Sequence, residues 1–208
     1  MVDPEGLTDY NVDVKGYCQK IDYSIFSKEF WKSDNGKDRL IASNGAILDK
    51  IDKGILDNKV TVKYDNNYEH DGHYVKTDND YQALKLYRFL SINTGVEWSH
   101  LGGLNGEDKN VNYISTTHDN LTEKTGSHIL STMIQNNDYV KIIEHSHLFG
   151  EPPSGFRKGE MLDPGNKVEG DKALSLYLKA NLNYNVTQKV FDVKHRKDIP
   201  YNEKSKFK

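Results

Sequence analysis

The sequence predicts an α/β or α+β fold, with a central mixed β-sheet flanked by helices. Segments with helical spacing alternate along the chain with short β-branched segments, which favours a mixed fold over an all-helical one. The 13 Tyr, 7 Phe and 2 Trp supply enough aromatic bulk for a core, although 28% of the 208 residues are charged. A chain of this length is typical of one domain with a tail.

Helical periodicity is clearest after residue 77. A first helix begins at Asp78 or Asp80, either of which can cap it, and ends near residues 93–95. A strand starts over 96–98, and Gly-rich turns before a second strand over 111–115 predict a hairpin. The apolar residues of the helix recur mostly at spacings of 3 and 4: Tyr81, Leu84, Leu86, Tyr87 and Leu90.

The second half of the chain repeats this alternation. A helix is predicted over 126–135 from its apolar spacing, and an interior strand over 139–143 from its β-branched run. A loop rich in Gly and Pro follows over 148–169, after which Asp171 opens a third helix. Two further segments are a strand over 190–193 and a basic, frayed tail from residue 194.

The first third of the chain carries weaker signals. Strand character is visible at residues 39–41 and 60–62, the latter because of its β-branched side chains. Residues 65–80 have the Asp- and Asn-rich composition of a polar loop. Residues 1–35 have no sustained period and are expected to be loosely organised.

Composition excludes several classes of protein. A net charge of −3 disfavours a nucleic-acid binder driven by bulk charge. The single cysteine, Cys18, excludes an intrachain disulfide and any zinc site built on two or more thiolates. No stretch approaches the ~20 apolar residues of a membrane helix, and no apolar signal core is visible at the N-terminus. The sequence therefore predicts a soluble protein.

The sharpest chemical motif is Glu144-His145-Ser146-His147, which comes directly after the predicted strand over 139–143. Residues i and i+2 of a strand project to the same side, so His145 and His147 present two imidazoles in one direction. Neutral imidazoles suit Zn²⁺ when no thiolate is present. An isolated His-x-His is equally compatible with two unrelated surface histidines.

A catalytic zinc site needs two more groups. Such a site usually keeps three protein ligands and one water, so an aspartate after the Gly/Pro loop is a candidate third ligand. A carboxylate beside the metal is also needed to take a proton from the water. Glu97 lies between Val96 and Trp98 on a semi-buried strand, where an edge or salt-bridged glutamate is the simpler interpretation.

These strings together resemble the JAMM/JAB metalloprotease family, and most closely the JAB-like toxin domains of bacterial polymorphic toxins of the Rhs type. That family has an upstream Glu, then His-x-His at a strand end, then a Ser, and an Asp that opens a helix. The resemblance covers roughly residues 78–195. The matching strings are Gly95-Val96-Glu97-Trp98, the run from His145 to Gly155, and Gly170-Asp171.

The loop departs from the family pattern. Six residues separate His147 from Ser154, where the family usually has seven, and Arg157 stands at the family's aspartate position. The third ligand is then Asp163 or Asp171. Asp171 is preferred because it opens a helix, as the family's aspartate does, whereas Asp163 precedes a proline in a common turn placement.

The resemblance implies the JAMM/JAB (cytidine-deaminase-like) architecture and a zinc-dependent hydrolase of peptide or isopeptide bonds. His145, His147 and Asp171 would hold Zn²⁺. Glu97 would act as the general base, and the Ser154 hydroxyl would stabilise the oxyanion on the attacked carbonyl. The predicted organisation is a linker or presenting segment over 1–70, partly irregular, the hydrolase domain over 71–195, and a basic tail over 196–208.

The resemblance also implies a biological setting. The chain would be the toxin or effector portion of a larger bacterial protein, exported by a secretion system, with a protein or peptide substrate. A cognate immunity protein that blocks the cleft is an implied partner, and no nucleic-acid or membrane partner is expected. Two alternatives stay open: a non-catalytic JAB-like interaction module, and a metal-dependent nuclease toxin.

Overall fold

The computed structural model describes residues 9–21, 37–63, 71–120, 124–156 and 170–207. These residues form two sheets and three helices, α1 (Asp80–Asn93), α2 (Thr125–Gln135) and α3 (Gly170–Asn181). The smaller sheet contains β1 (Asp9–Val12), β2 (Cys18–Lys20), β3 (Lys37–Ala42) and β4 (Ile47–Asp52). The larger sheet contains β5 (Val60–Val62), β6 (Gly72–Thr77), β7 (Ser99–Leu104), β8 (Asn110–Thr116), β9 (Tyr139–His147), β10 (Thr187–Asp192) and β11 (Lys197–Tyr201).

The larger sheet has the strand order β11-β10-β9-β7-β8-β6-β5. Its β9 and β10 run parallel, and its other neighbouring strands run antiparallel. Helix α1 packs on one face through a core that includes Leu86 and Ile114. Helices α2 and α3 pack on the other face, around Leu101 and Ile143. The predicted class, a mixed sheet flanked by helices, is therefore confirmed.

Helix α1 begins one residue away from either predicted cap. Asn79 has an extended backbone, and its side-chain oxygen accepts hydrogen bonds from the backbone N–H groups of Tyr81 and Gln82, both at 3.1 Å. The predicted caps Asp78 and Asp80 are therefore wrong, while the predicted extent of the helix is confirmed. No helix among the described residues is long and apolar enough to cross a membrane.

Two glycines predicted as turn residues, Gly102 and Gly103, lie inside β7 instead. A Cβ on Gly103 would lie 2.2 Å from the Tyr139 carbonyl oxygen of β9, and one on Gly102 would lie 2.9 Å from the Ile142 side chain. The register of β7 and β9 also shifts between these two glycines. The pair is therefore needed for a close approach and a bulge within the sheet, and the turn follows at residue 105.

Two other strands occupy segments predicted to be irregular. β6 lies within the predicted polar loop over 65–80 and pairs with β8. β11 lies in the predicted frayed tail and pairs antiparallel with β10. Both predictions are wrong for these residues because backbone pairing stabilises strands whose side chains are largely polar. β11 is an edge strand, where Lys and Pro are common.

The N-terminal segment also has regular structure where it is described. The expected loose organisation of residues 1–35 is wrong for 9–20, which form β1 and β2, whereas the predicted strand over 39–41 is confirmed within β3. The smaller sheet has the order β2-β1-β3-β4. Buried Asp9 accepts two hydrogen bonds from the Arg39 guanidinium, at 2.6 and 2.7 Å, which tie β1 to β3.

The smaller sheet shares one hydrophobic core with helix α1. Val12, Leu40 and Ile51 belong to the same buried cluster as Leu86 and Leu90. β5, although it precedes residue 70, pairs with β6 in the larger sheet. The described residues before the predicted boundary at residue 70 are thus packed against the rest of the chain, and the division into 1–70, 71–195 and 196–208 stays a prediction.

Candidate metal centre

The last residues of β9 place two histidines on one face of the sheet. His145 and His147 alternate with Glu144 and Ser146, which are buried on the opposite side. Ile143, two residues before His145, belongs to the core beneath α2 and α3. Both imidazoles therefore project toward the face that these two helices cover.

Helix α3 brings a carboxylate to the same point. Asp171 lies in the first turn of the helix and is 3% exposed. Its Oδ1 is 3.0 Å from His145 Nε2, and its Oδ2 is 3.7 Å from His147 Nε2. The two Nε2 atoms are 3.0 Å apart. Among the described residues, these three form a group whose ligand atoms all lie within 4.8 Å of one another.

These spacings fit a tetrahedral metal ion. Zinc bonds to nitrogen and oxygen of about 2.0–2.2 Å imply ligand atoms roughly 3.3–3.5 Å apart at the corners of a tetrahedron. The measured separations of 3.0 to 3.7 Å bracket that value. The donor set, two imidazole nitrogens and one carboxylate oxygen, leaves a fourth position open. The cluster is therefore suited to hold a divalent metal.

Ser154 holds the aspartate in place. Its backbone N–H and its hydroxyl both donate to Asp171 Oδ2, at 2.6 and 3.0 Å, and its hydroxyl oxygen accepts from the Asp171 backbone N–H at 3.1 Å. Gly170 makes this approach possible, since a Cβ there would lie 2.1 Å from Ser154 Oγ. The single hydroxyl proton is thus committed to Asp171, and the oxyanion role predicted for Ser154 stays a prediction.

Hydrogen bonding also fixes the second histidine. His147 Nδ1 lies 3.0 Å from the Glu151 carbonyl oxygen, which can only accept, so Nδ1 carries the proton and Nε2 keeps its lone pair. Burial and the neighbouring His145 ring lower the pKa of His147, which favours the neutral ring that a metal needs.

The Asp171 carboxylate is poised in its ionised form. Burial alone would raise its pKa, but the His145 ring and, less strongly, His147 and Ser154 hold that pKa well below 3.8. A carboxylate that is charged at all physiological pH values is a competent metal ligand.

Glu97 lies across the sheet from the histidines. Ser99 pairs with His145 in the antiparallel β7–β9 register, and the Ser146 N–H donates to the Trp98 carbonyl at 2.8 Å. Continued by one more pair, this register places Glu97 opposite His147. Directly opposed residues have Cβ atoms roughly 4.5–5.5 Å apart.

The surroundings of Glu97 suit an acid–base group. Its backbone is fixed on both sides: its N–H donates to the Asp119 carbonyl, and its carbonyl accepts from the Thr116 hydroxyl, both at 2.8 Å. The residue is 8% exposed and lines the same cavity as the three candidate ligands, without belonging to their close group. Its role as a base stays a prediction.

The cavity in front of the cluster measures about 530 Å³. That size lies within the usual range for ligand sites, roughly 300–1,000 Å³. The cluster, Glu97 and Ser154 form one end of it, and α2, α3 and the sheet enclose the rest. The remaining lining residues are Ser99, Leu101, Lys124, Gly126, Ser127, Leu130, Ser131, Ile143, Glu144, Gly170, Ala173, Leu174 and Tyr177.

A buried polar network lies behind the centre, on the α1 face. Glu144 is fully buried, and its two oxygens accept from Arg88 at 3.1 Å and contact His100 Nδ1 at 2.7 Å. His100 Nε2 lies 2.9 Å from the side-chain oxygen of Asn112. Glu144 therefore carries a structural ion pair on the face opposite the metal cluster.

The structure thus brings together residues from four segments that are separate in the sequence: Glu97, the His145–His147 pair, Ser154 and Asp171. Asp163, the alternative third ligand, lies outside the described residues. Sequence reasoning missed Tyr201, whose hydroxyl is buried near Asp171; burial and that negative charge raise its pKa well above 10. Tyr201 belongs to β11, and the sequence signal for that strand is weak.

Comparison with protein-family models matches residues 75–175 to a family described as JAB-like toxin 1. The matched segment, nearly half of the chain, begins within β6 and ends within α3. It contains Glu97, both histidines, Ser154 and Asp171. Comparisons with curated proteins and with solved structures found no match. The match supports a JAB-like toxin domain over residues 75–175.

Proposed function

We propose that this chain is a zinc-dependent hydrolase of peptide or isopeptide bonds, acting as the toxin or effector domain of a bacterial polymorphic toxin. The observation that carries the proposal is the convergence of two imidazoles and a carboxylate at 3.0–3.7 Å, with a second carboxylate across the sheet. This donor set matches catalytic zinc sites, which keep three protein ligands and an open position.

The geometry supports the following division of roles. When bound, zinc would supply Lewis acidity and make a water molecule acidic enough to act as a nucleophile near neutral pH. His145, His147 and Asp171 would hold the ion. Glu97 accepts the proton of the attacking water on a carboxylate oxygen and returns it to the nitrogen that leaves. The same carboxylate therefore acts first as general base and then as general acid.

Ser154 acts in this proposal mainly as a positioning residue. It fixes one oxygen of Asp171 through two donated hydrogen bonds, which leaves the other oxygen directed at His145. A ligand held in this way loses little conformational entropy when the metal binds. Stabilisation of an oxyanion by Ser154 would require the hydroxyl to turn away from Asp171.

The charge of the cavity favours a peptide over a nucleic-acid substrate. Of the described residues that line it, Lys124 is the one Lys or Arg, and Glu97, Glu144 and Asp171 are acidic. Binding a polyphosphate backbone depends on several cationic side chains. The apolar lining suits a peptide better, and a protein or peptide target with a cognate immunity protein completes the proposal.

The proposal is tested by metal content and hydrolysis together. We expect purified protein to bind one zinc ion, and His145→Ala to lose it, while the exposed control His128→Ala keeps it. We expect Glu97→Gln to retain zinc but to cleave a proteome-derived peptide mixture about 100- to 10,000-fold more slowly, because the proton acceptor is gone. Glu107→Gln, which changes an exposed glutamate, is the matched control.

Three outcomes would contradict this function. Wild-type protein without stoichiometric metal would favour the interaction module. Full hydrolysis by Glu97→Gln would exclude Glu97 as the base. Nuclease activity that persists in Glu97→Gln, with no cleavage of peptides or isopeptide-linked dimers, would favour the nuclease toxin.

A further inference from the structure

The cavity continues beyond the metal cluster along the sheet. Two cross-strand pairs of β7 and β9 line its floor on one face, Ser99 opposite His145 and Leu101 opposite Ile143, and Glu97 and His147 line the cavity at the end nearer the cluster. Two residues of an antiparallel strand advance about 6.8 Å. The apolar pair therefore lies about 6.8 Å along the strands from the candidate ligand His145.

Ser99 keeps the two halves of the cavity connected. Its hydroxyl lies 2.5 Å from the hydroxyl of Ser115 on β8, and its small side chain is buried beside His145. A larger residue at this position would stand between the metal cluster and the apolar floor. The sequence thus leaves a passage at the point where a substrate chain would pass.

The walls of this second half are mainly apolar. Helix α3 contributes Ala173, Leu174 and Tyr177, and the Tyr177 side chain reaches solvent at the rim. Helix α2 contributes Leu130, with Ser127 and Ser131 beside it. The Ser131 hydroxyl donates its proton to the Ser127 carbonyl oxygen at 3.0 Å, within the helix. Leu174 is only partly buried.

We propose that this half of the cavity is a specificity pocket for a large apolar side chain, of the size of leucine or phenylalanine, on a substrate residue that flanks the scissile bond. The inference rests on the proposed function for the position of that bond. Its support is that the apolar floor and walls are continuous with the metal cluster and begin about 6.8 Å from His145 along the strands. Entry of an apolar side chain would remove these surfaces from water.

Zinc-chelating hydroxamates test the pocket without requiring catalysis. Acetohydroxamate carries a methyl group, isovaleryl hydroxamate an isobutyl group, and phenylacetohydroxamate a benzyl group. We expect titration calorimetry of the zinc-loaded protein to show affinity rising at least about tenfold from the methyl to the larger groups, because each buries apolar surface in the pocket.

A matched pair of variants locates the effect. Ala173→Phe fills the pocket from α3 and should remove the gain for isobutyl and benzyl groups while leaving acetohydroxamate binding unchanged. Ala180→Phe makes the same change at an exposed position of the same helix and should behave as wild type. Circular dichroism and zinc content check that both variants are folded and loaded.

The possible outcomes distinguish failure of the pocket proposal from failure of the proposed hydrolase function. Equal affinity for all three hydroxamates in the zinc-loaded wild type would overturn the pocket and leave the metal centre standing. A gain that survives in Ala173→Phe would also overturn it. Failure to bind zinc would overturn the proposed function and the pocket with it. A clear gain in a protein that cleaves no peptide would support the pocket and overturn the hydrolase.

Discussion

Ser154 and Gly170 determine how the third candidate ligand is presented. Without a Cβ, Gly170 lets the Ser154 hydroxyl reach the first turn of α3, where it bonds to both the backbone and the carboxylate of Asp171. The left-handed φ of Gly170, +67°, also favours glycine. Gly170 and Asp171 therefore act together: Gly170 makes room for Ser154, and Ser154 orients the Asp171 carboxylate.

The choice of third ligand is tested by two aspartate substitutions. We expect Asp171→Ala to lower zinc affinity by at least about tenfold, because a ligand and its charge are removed. Asp163→Ala, which changes the alternative candidate, should leave zinc content unchanged. Elemental analysis of both purified variants beside the wild type measures the effect. Loss of zinc in Asp163→Ala with retention in Asp171→Ala would reverse the assignment.

At the scale of the element, the contact between β7 and β9 positions Glu97 opposite the histidines. Gly103 permits that contact, and a Cβ there would meet the Tyr139 backbone oxygen at 2.2 Å. We expect Gly103→Ala to lower the free energy of unfolding by about 1–3 kcal/mol, because the backbone has to move to relieve the overlap. Urea denaturation followed by tryptophan fluorescence measures the change.

Gly106→Ala is the matched control for that substitution. Gly106 lies in the following turn with nothing within 4 Å of its ideal Cβ, so the change should stay within about 0.5 kcal/mol. Equal stability of the two variants would show that β7 and β9 can separate at no cost, which would contradict the role given to the close approach.

The same elements show what the sequence could predict. The three helices and β9 were predictable because their apolar or β-branched patterns match the period of the element, and β9 placed two histidines on one face by alternation. β6 and β11 were not predictable, because their stability comes from pairing with β8 and β10 and leaves no pattern in the local sequence. The hydrogen bonds from Ser154 to Asp171 and the apolar end of the cavity were not predictable either, because both arise from tertiary packing.

For the whole molecule, two histidines join the N-terminal hairpin to the larger sheet. His118 Nδ1 donates to the Lys15 carbonyl oxygen at 2.7 Å, and its Nε2 lies 2.5 Å from His73 Nδ1. The Tyr17 ring stacks on His118 with centroids 3.9 Å apart. This chain of contacts joins the β1–β2 turn to β6.

This junction predicts how stability depends on pH. Burial and the His118 ring lower the pKa of His73 from 6.5 to about 4, with Lys59 adding to the shift and Asp71 opposing it. The unfolded chain therefore binds more protons than the folded one between these values. The contribution of His73 is fully present above pH 6.5 and is lost as the pH falls toward 4.

Urea denaturation of the metal-free protein at pH 7, 5.5 and 4 measures this loss. We expect His73→Gln to show a weaker decline in the free energy of unfolding than wild type across that window, while the exposed His128→Gln should match wild type. His147, whose pKa is also lowered, contributes equally to all three proteins. Asp192 has its pKa lowered below 3.8, so its contribution is lost only at more acidic pH. If the free energy of unfolding falls equally in wild type and His73→Gln, then His73 has the same pKa in the folded and unfolded chains. The contact between the hairpin and the larger sheet would then not depend on pH.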